Sequence, residues 1–218
     1  MIRAIFWDND GILADTETLY LRATAEVLAS RGLALNEDDY RRHYLVAASG
    51  LAALVPGATA ATLARLRAER DAIYAGLLAT EEIAVPGAAE TLAALRGRVV
   101  MGVVTSSLRE HFDLIHARTG FLPCFDFVLA SGDYAETKPH PAPYLAAMER
   151  VAARHGVGPA ECLAVEDSGR GLSAAKAAGL RTWVIPGALS LPGDLAGADR
   201  ILGSIREIPG LLDGETPG

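Results

Sequence analysis

Four short apolar runs in this chain end abruptly in polar turns, and helical patterns lie between them. Ile2 to Trp7 stops at Asp8-Asn9-Asp10-Gly11, and Val99 to Val104 stops at Thr105-Ser106-Ser107. Phe125 to Ala130 stops at Ser131-Gly132-Asp133, and Cys162 to Val165 at Glu166-Asp167-Ser168. Runs this short and this apolar, bounded by turn residues, read as buried strands. Arg181 to Ile185 before Pro186-Gly187 reads as a fifth, and Arg200 to Leu202 as a weaker sixth. Helical spacing falls at Ala88 to Leu95, Leu108 to Thr119, Ala142 to His155 and Gly169 to Ala178. Alternating strands and helices imply parallel pairing with right-handed crossovers. The expected core is therefore a Rossmann-like, three-layer α/β/α parallel sheet. Its ligand site belongs at the carboxyl ends of the strands, where the polar turns lie.

Between Asp15 and Val85 the pattern changes. Leu19 to Arg31 and Glu37 to Ala48 read as amphipathic helices. Ala60 to Leu78 sets Leu63, Leu66, Ile73 and Leu77 near one face. This predicts a small helical cap over residues 16–83, inserted after the first strand into a core of residues 1–15 and 84–218. Hinges are expected near Asp15 to Glu17 and near Glu82 to Pro86. The 218 residues suffice for such a pair of units.

A net charge of -7 and a pI near 5.2 argue against nucleic acid or an anionic membrane as the main partner. No apolar run is long enough to span a bilayer, and no secretory leader precedes the first strand. A cytoplasmic protein is expected. Cys124 and Cys162, the two cysteines, have no CxxC companion and read as reduced apolar residues. No self-complementary apolar segment stands out, so a monomer is expected.

Four constellations carry chemistry. In Asp8-Asn9-Asp10-Gly11, two carboxylates two residues apart can converge on a metal ion, or divide the roles of nucleophile and proton carrier. Gly11 permits a sharp turn beside a ligand. The bland reading is a solvated acidic turn, against which the unbroken strand before it counts. Thr105, with Ser106 and Ser107, suits phosphate oxygens, although such residues also cap helices. Lys138 sits in Lys138-Pro139-His140-Pro141-Ala142-Pro143-Tyr144, where three prolines restrict the loop. An ammonium held there could neutralise a carboxylate and a phosphoryl oxygen together. His140 reads as an ordinary loop residue. Glu166 and Asp167 are adjacent carboxylates suited to a hard cation, with helix capping by Asp167 or Ser168 as the alternative.

With these residues in this order, the chain resembles the haloacid dehalogenase superfamily, in its phosphoglycolate phosphatase and β-phosphoglucomutase-like branch. The resemblance rests on FWDNDGILADTE from Phe6, VVTSS from Val103, KPHPAPY from Lys138 and VEDSGRGLSAAKAAG from Val165. It covers nearly the whole chain. It implies a Mg²⁺-dependent phosphatase acting on a small phosphorylated metabolite, phosphoglycolate or a sugar phosphate. Asp8 would be the nucleophile. Asp10 would protonate the leaving oxygen and then activate water. Thr105, Ser106 and Lys138 would hold the phosphoryl group. Asp8, the main-chain carbonyl of Asp10, Glu166 and Asp167 would hold Mg²⁺, Glu166 directly or through water.

Three rivals accompany that expectation. A sugar-phosphate mutase would share the Asp8 chemistry, but Tyr20 stands near where mutase relatives tend to carry His. A dehalogenase would need neither Asp10 nor the Glu166-Asp167 pair. A phosphorylatable signalling module would be shorter and lack the helical insert. In the cap, Arg41, Arg42 and His43 could face an anionic substrate or merely solvent.

Overall fold

A computed structural model describes residues 1–46 and 49–214. Its strands are β1 (Ala4–Trp7), β2 (Val100–Leu108), β3 (Phe127–Ser131), β4 (Cys162–Glu166), β5 (Arg181–Val184) and β6 (Arg200–Ile201). They form one parallel sheet in the order β3-β2-β1-β4-β5-β6. The chain direction across the sheet reverses between β1 and β4, the point at which open α/β sheets leave a crevice for ligands.

Side chains alternate across the sheet. Ile5, Trp7, Met101, Val103, Leu163, Val165 and Trp183 pack on one face. They meet α5 (Ala88–Leu95), α6 (Arg109–Thr119) and α9 (Ile208–Gly214). Ala4, Phe6, Val104 and Ala164 point the other way, against α7 (Ala142–His155) and α8 (Gly169–Ala177). Both faces of β1 are thus covered, which is why its sequence is apolar without alternation. Full burial of a side chain such as Phe6 stabilises by about 1.5–3 kcal/mol over leaving it exposed.

The expected strands and core helices are present, with one informative shift. β2 runs on through Thr105, Ser106 and Ser107 to Leu108, and its pairing with β3 slips between Val104 and Leu108. α6 starts only at Arg109 and has no side-chain cap. The three hydroxyl residues are therefore extended backbone, free to turn their side chains into the crevice, and do not cap a helix.

The insert contains α1 (Glu17–Ala29), α2 (Glu37–Tyr40), a π-helical turn (Arg41–Val46), α3 (Gly50–Leu54) and α4 (Ala60–Thr80). The helix expected over Glu37 to Ala48 is α2 followed by the π-helical turn, and Ala47 and Ala48 lie outside the described residues. Entry and exit run side by side, with Asp15 N–H donating to Ile83 O (2.7 Å) and Val85 N–H to Leu13 O (3.1 Å). Leu19 and Ala23 of α1 pack on Tyr74 and Leu78 of α4, and Ile115 of α6 joins them from the core. At the other end, Leu189 of the core is buried among Tyr40, Tyr44 and Leu45. Arg41 Nε donates to its carbonyl at 2.7 Å. The buried line of α4 is Leu66, Arg70, Tyr74 and Leu78. Leu63, Ile73 and Leu77, expected on the inner face, are only partly buried. Among the described residues, no helix is long and apolar enough to cross a membrane.

Candidate active site

Asp8 follows the last residue of β1, Thr105 lies in β2, Glu166 ends β4, and Asp167 follows it. Parallel register brings these positions to one edge: Trp7 pairs with Val103 on one side and Val165 on the other. Asp8 N–H also donates to Val165 O at 2.9 Å, extending the ladder into the turn.

Lys138 reaches this edge from the loop after β3. It is 2% exposed. Its Nζ donates to Asp8 Oδ1 (2.9 Å), Val104 O (2.8 Å) and Glu166 Oε1 (2.6 Å), so all three of its donors are used. Tyr144 of α7 donates its hydroxyl to the same Glu166 oxygen, and its ring lies 5.0 Å from the ammonium. Burial alone would depress the Lys138 ammonium, but Asp8 and Glu166 more than reverse this and hold it above its ordinary value. Burial pushes the Asp8 carboxyl up, Glu166 and Asp10 add to that, and Lys138 opposes them. Asp167 is likewise pushed up by burial and by Asp8.

Asp8, Glu166 and Asp167 each offer an oxygen within 4.8 Å of the others, and all three are buried. Glu166 Oε2 is buried with no hydrogen-bond partner among the described residues. Glycines make room for the acids. A Cβ on Gly11 would lie 2.2 Å from Asp167 Oδ2, and one on Gly171 would lie 1.8 Å from Glu166 Oε2. Gly11 also has φ +81°, in the left-handed region that favours glycine. A buried acidic cluster that raises its own protonation, with one oxygen unsatisfied, fits a hard divalent cation.

Asp10 stands apart from that trio. Its Oδ1 accepts from Thr16 Oγ1 (2.5 Å). Its Oδ2 accepts from Ser107 Oγ (2.5 Å) and Thr105 Oγ1 (3.3 Å). Thr105 and Ser107 thus face Asp10, while the buried Ser106 Oγ makes no full hydrogen bond among the described residues and has Tyr134 near it. Ser168, not Asp167, caps α8, accepting from Gly171 N–H. His140 lies at the surface, 3.4 Å from Glu136.

Asp8, Asp10, Ser106, Ser107, Lys138 and Asp167 floor a cavity of about 290 Å³ roofed by the insert. The roof includes Glu17, Tyr20, Tyr40, Tyr44, Arg70 and Tyr74. Arg70 is buried, donates to Asp71 Oδ1 (3.0 and 2.7 Å), and lies 4.6 Å over the Tyr20 ring. Arg67 and Arg170 also line the cavity, and among the described residues the buried Arg170 Nε and Tyr44 hydroxyl make no full hydrogen bond. Burial raises the Glu17 carboxyl, against the hydrogen bond it accepts from Tyr40.

Arg41, Arg42 and His43 do not line this cavity. Arg41 holds Leu189, Arg42 pairs with Asp39, and His43 meets Ser49. The cationic wall comes instead from Arg67, Arg70 and Arg170, which the sequence reading missed. Arg67 and Arg70 are single charges within a helical pattern, indistinguishable there from a solvated face. Thr16, Glu17 and Arg170 lay inside the quoted motifs but had no assigned role, and Tyr144 stood unassigned at the end of KPHPAPY.

Comparisons with known proteins give the family. A family model described as haloacid dehalogenase-like hydrolase matches residues 2–179. The protein CbbY of Cereibacter sphaeroides is 34% identical, over 97% of this chain and 96% of its own. Hexitol phosphatase B of Escherichia coli is 30% identical, over 85% of this chain and 84% of its own. A crystal structure of a CbbY mutant from Rhodobacter sphaeroides, in complex with xylulose-(1,5)bisphosphate, superposes with a TM-score of 0.81 at 31% identity. It covers 95% of this chain and 96% of that one. This chain belongs to the haloacid dehalogenase-like hydrolase family, and it is a hydrolase.

Proposed function

We propose that this hydrolase is a Mg²⁺-dependent phosphatase that releases phosphate from a small phosphorylated sugar through a phospho-Asp8 intermediate. One observation carries the reading. Asp8 is fixed at the floor of the cavity by Lys138, next to a second acid, Asp10, that is held by hydroxyls and not by a cation.

In the first step Asp8 Oδ attacks phosphorus, the P–O bond to the sugar breaks, and Asp10 gives its proton to the leaving oxygen. Lys138 offsets the charge of the entering phosphoryl group, and Ser106 offers it a hydroxyl. Thr105 can serve it by turning from Asp10. In the second step Asp10 takes a proton from water, which attacks the aspartyl-phosphate and frees Asp8 and phosphate. Asp8, Glu166, Asp167 and the Asp10 carbonyl would hold Mg²⁺, which supplies charge stabilisation for the transferring oxygens.

Residues 16–83 act as a cap, hinged near 15–17 and 82–86, that closes on the substrate and excludes water. Arg41 and Leu189 form its clasp on the core. The arginines on the cavity wall suit a second anionic group on the substrate, and the sugar bisphosphate bound by CbbY supports that choice. One chain carries every group the scheme needs, so we take it to act as a monomer.

The test is phosphate release from a panel of sugar monophosphates, sugar bisphosphates and phosphoglycolate, with Mg²⁺ or EDTA, for wild type and Asp8→Asn. Release that needs Mg²⁺ and disappears in Asp8→Asn is expected, strongest with a bisphosphate. Release that survives Asp8→Asn would overturn the nucleophile, and isomerised product without phosphate would establish a mutase instead.

A further inference from the structure

Asn9, between the two reactive carboxylates, is fully buried and does not line the cavity. Its carbonyl accepts the N–H groups of Ile12 (3.3 Å), Leu13 (2.8 Å) and Ala14 (3.0 Å), which closes the turn carrying Asp8 and Asp10. Its Oδ1 lies 2.8 Å from Nε2 of His116 on α6. His116 is 2% exposed, its ring centroid 4.3 Å from that of Phe112 and 6.0 Å from that of Phe121. Its other ring nitrogen, Nδ1, lies 2.8 Å from Thr119 Oγ1, which also accepts Phe121 N–H at 3.3 Å.

An imidazole among phenyl rings is unfavourable unless both nitrogens are paired. Here both are. In the orientation that turns Asn9 Oδ1 to the ring and leaves Asn9 Nδ2 without a bond among the described residues, Nε2 would carry the proton and donate to Asn9, and the Thr119 hydroxyl would donate to Nδ1. The same helix braces the insert: Arg118 donates to Leu78 O (3.2 Å) and Glu81 O (2.6 Å) at the exit of α4. α6 therefore grips both the reactive turn and one end of the insert.

We propose that His116 is a positioning residue: through Asn9 it fixes the turn that sets the spacing of Asp8 and Asp10. Asn9 shares a peptide bond with each of them, so rotation of Asn9 displaces nucleophile and acid together. A displacement of about 1 Å at reacting groups is worth about a hundredfold in rate. This inference rests on the phosphatase reading for its kinetic arm only.

The experiment compares wild type, His116→Phe, His116→Gln, Asn9→Leu and the double variant Asn9→Leu/His116→Phe. Phosphate release by His116→Phe should lose about tenfold to a hundredfold in kcat, with KM within about twofold of wild type. His116→Gln, which keeps a donor, should recover part of the loss. In the Asn9→Leu background the His116→Phe change should have little further effect, because the link is already cut. Unchanged kcat in His116→Phe, or an equal loss with and without Asn9, would overturn the proposal. The second arm needs no activity. ¹⁵N shifts of the wild-type His116 ring should report a neutral imidazole protonated at Nε2 through pH 6. A His116 Nε2 shift that is the same in wild type and in Asn9→Leu would overturn the link. If the phosphatase reading fails, wild type releases no phosphate, and the ring spectrum still decides the role of His116. Should His116→Phe fail to fold, His116→Gln and the spectrum decide it.

Discussion

The two walls of the cavity are built by different rules. The core wall comes from one sheet edge, where Asp8, Thr105, Glu166 and Asp167 are set by strand register within a few residues. Its reactive groups hold one another before any ligand arrives, as Lys138 does with Asp8 and Glu166. The insert wall comes from α1, α2, the π-helical turn and α4, which meet through side chains: apolar packing, the Tyr40 to Glu17 hydrogen bond and the Arg31–Glu69 ion pair. On the proposed reading, chemistry belongs to the wall that backbone hydrogen bonds make rigid, and selectivity to the wall that side-chain contacts position. Changes in the core wall should therefore reduce stability and turnover together. Changes in the insert wall should alter substrate affinity and leave the chemical step nearly intact.

The largest effect is expected at Lys138. Lys138→Met leaves Asp8 and Glu166 buried beside each other without their cation. Breaking a buried ion pair from one side costs about 3–5 kcal/mol, and losing a charge stabiliser costs about 10²–10³ in kcat. Urea unfolding and steady-state kinetics check both. A variant as stable as wild type would break the contrast, since the core wall would then not depend on its own network.

A slightly smaller effect belongs to pH. Burial lowers His116 from its ordinary 6.5 to about 4, with Asp10 and Asp113 opposing. Between those values the unfolded chain binds the proton that the folded chain refuses. The stabilisation is thus complete above pH 6.5 and is lost as pH falls towards 4. At about 1.4 kcal/mol per unit, roughly 3 kcal/mol disappears across that window. His116→Gln should lack this component of the acid limb in unfolding titrations. An identical pH dependence in both proteins would remove His116 from the account.

Arg70→Met tests the insert wall. The substitution removes the charge over the Tyr20 ring and the bond to Asp71. For a sugar bisphosphate, KM should rise about tenfold to a hundredfold, the worth of one charged hydrogen bond. For a small monophosphate, kcat should stay within about twofold. A uniform loss of kcat on both substrates would mean that the insert wall takes part in the chemistry.

The same contrast explains what was legible in the sequence. Asp8, Lys138, Glu166 and Asp167 stood at the ends of apolar runs or in a proline-fixed loop, where local pattern and parallel topology converge. All six strands were readable for that reason. The roof was not. Arg70 and Tyr74 share a buried line with Leu66 and Leu78 because α4 borders a cavity there, which apolar periodicity cannot express. The π-helical turn over Arg41–Val46 shifted which residues of that segment face inward, so Tyr40, Tyr44 and Leu45 are buried while Arg42 is left to solvent. α9 escaped because Pro209 and Gly210 disguise a one-sided helix that buries only Ile208 and Leu212.

The smallest expected effect is the sharpest discriminator. The Tyr44 hydroxyl is buried on the insert wall, and among the described residues Arg70 and Thr24 stand near it without making a full hydrogen bond. Arg70 and Thr24 offset only part of its desolvation penalty. Tyr44→Phe removes the penalty while keeping the ring that stacks on Tyr40 at 4.8 Å. The variant should therefore be as stable as wild type or more so, by up to about 1 kcal/mol. If the hydroxyl instead waits for the substrate, its loss raises KM by about threefold to tenfold with kcat unchanged, the value of one neutral hydrogen bond. Thermal unfolding and KM measured together separate the possibilities. A gain in stability paired with a rise in KM marks a group kept for the ligand at the expense of the fold. A loss of stability would mean that Tyr44 is structural, and the insert wall would then resemble the core wall after all.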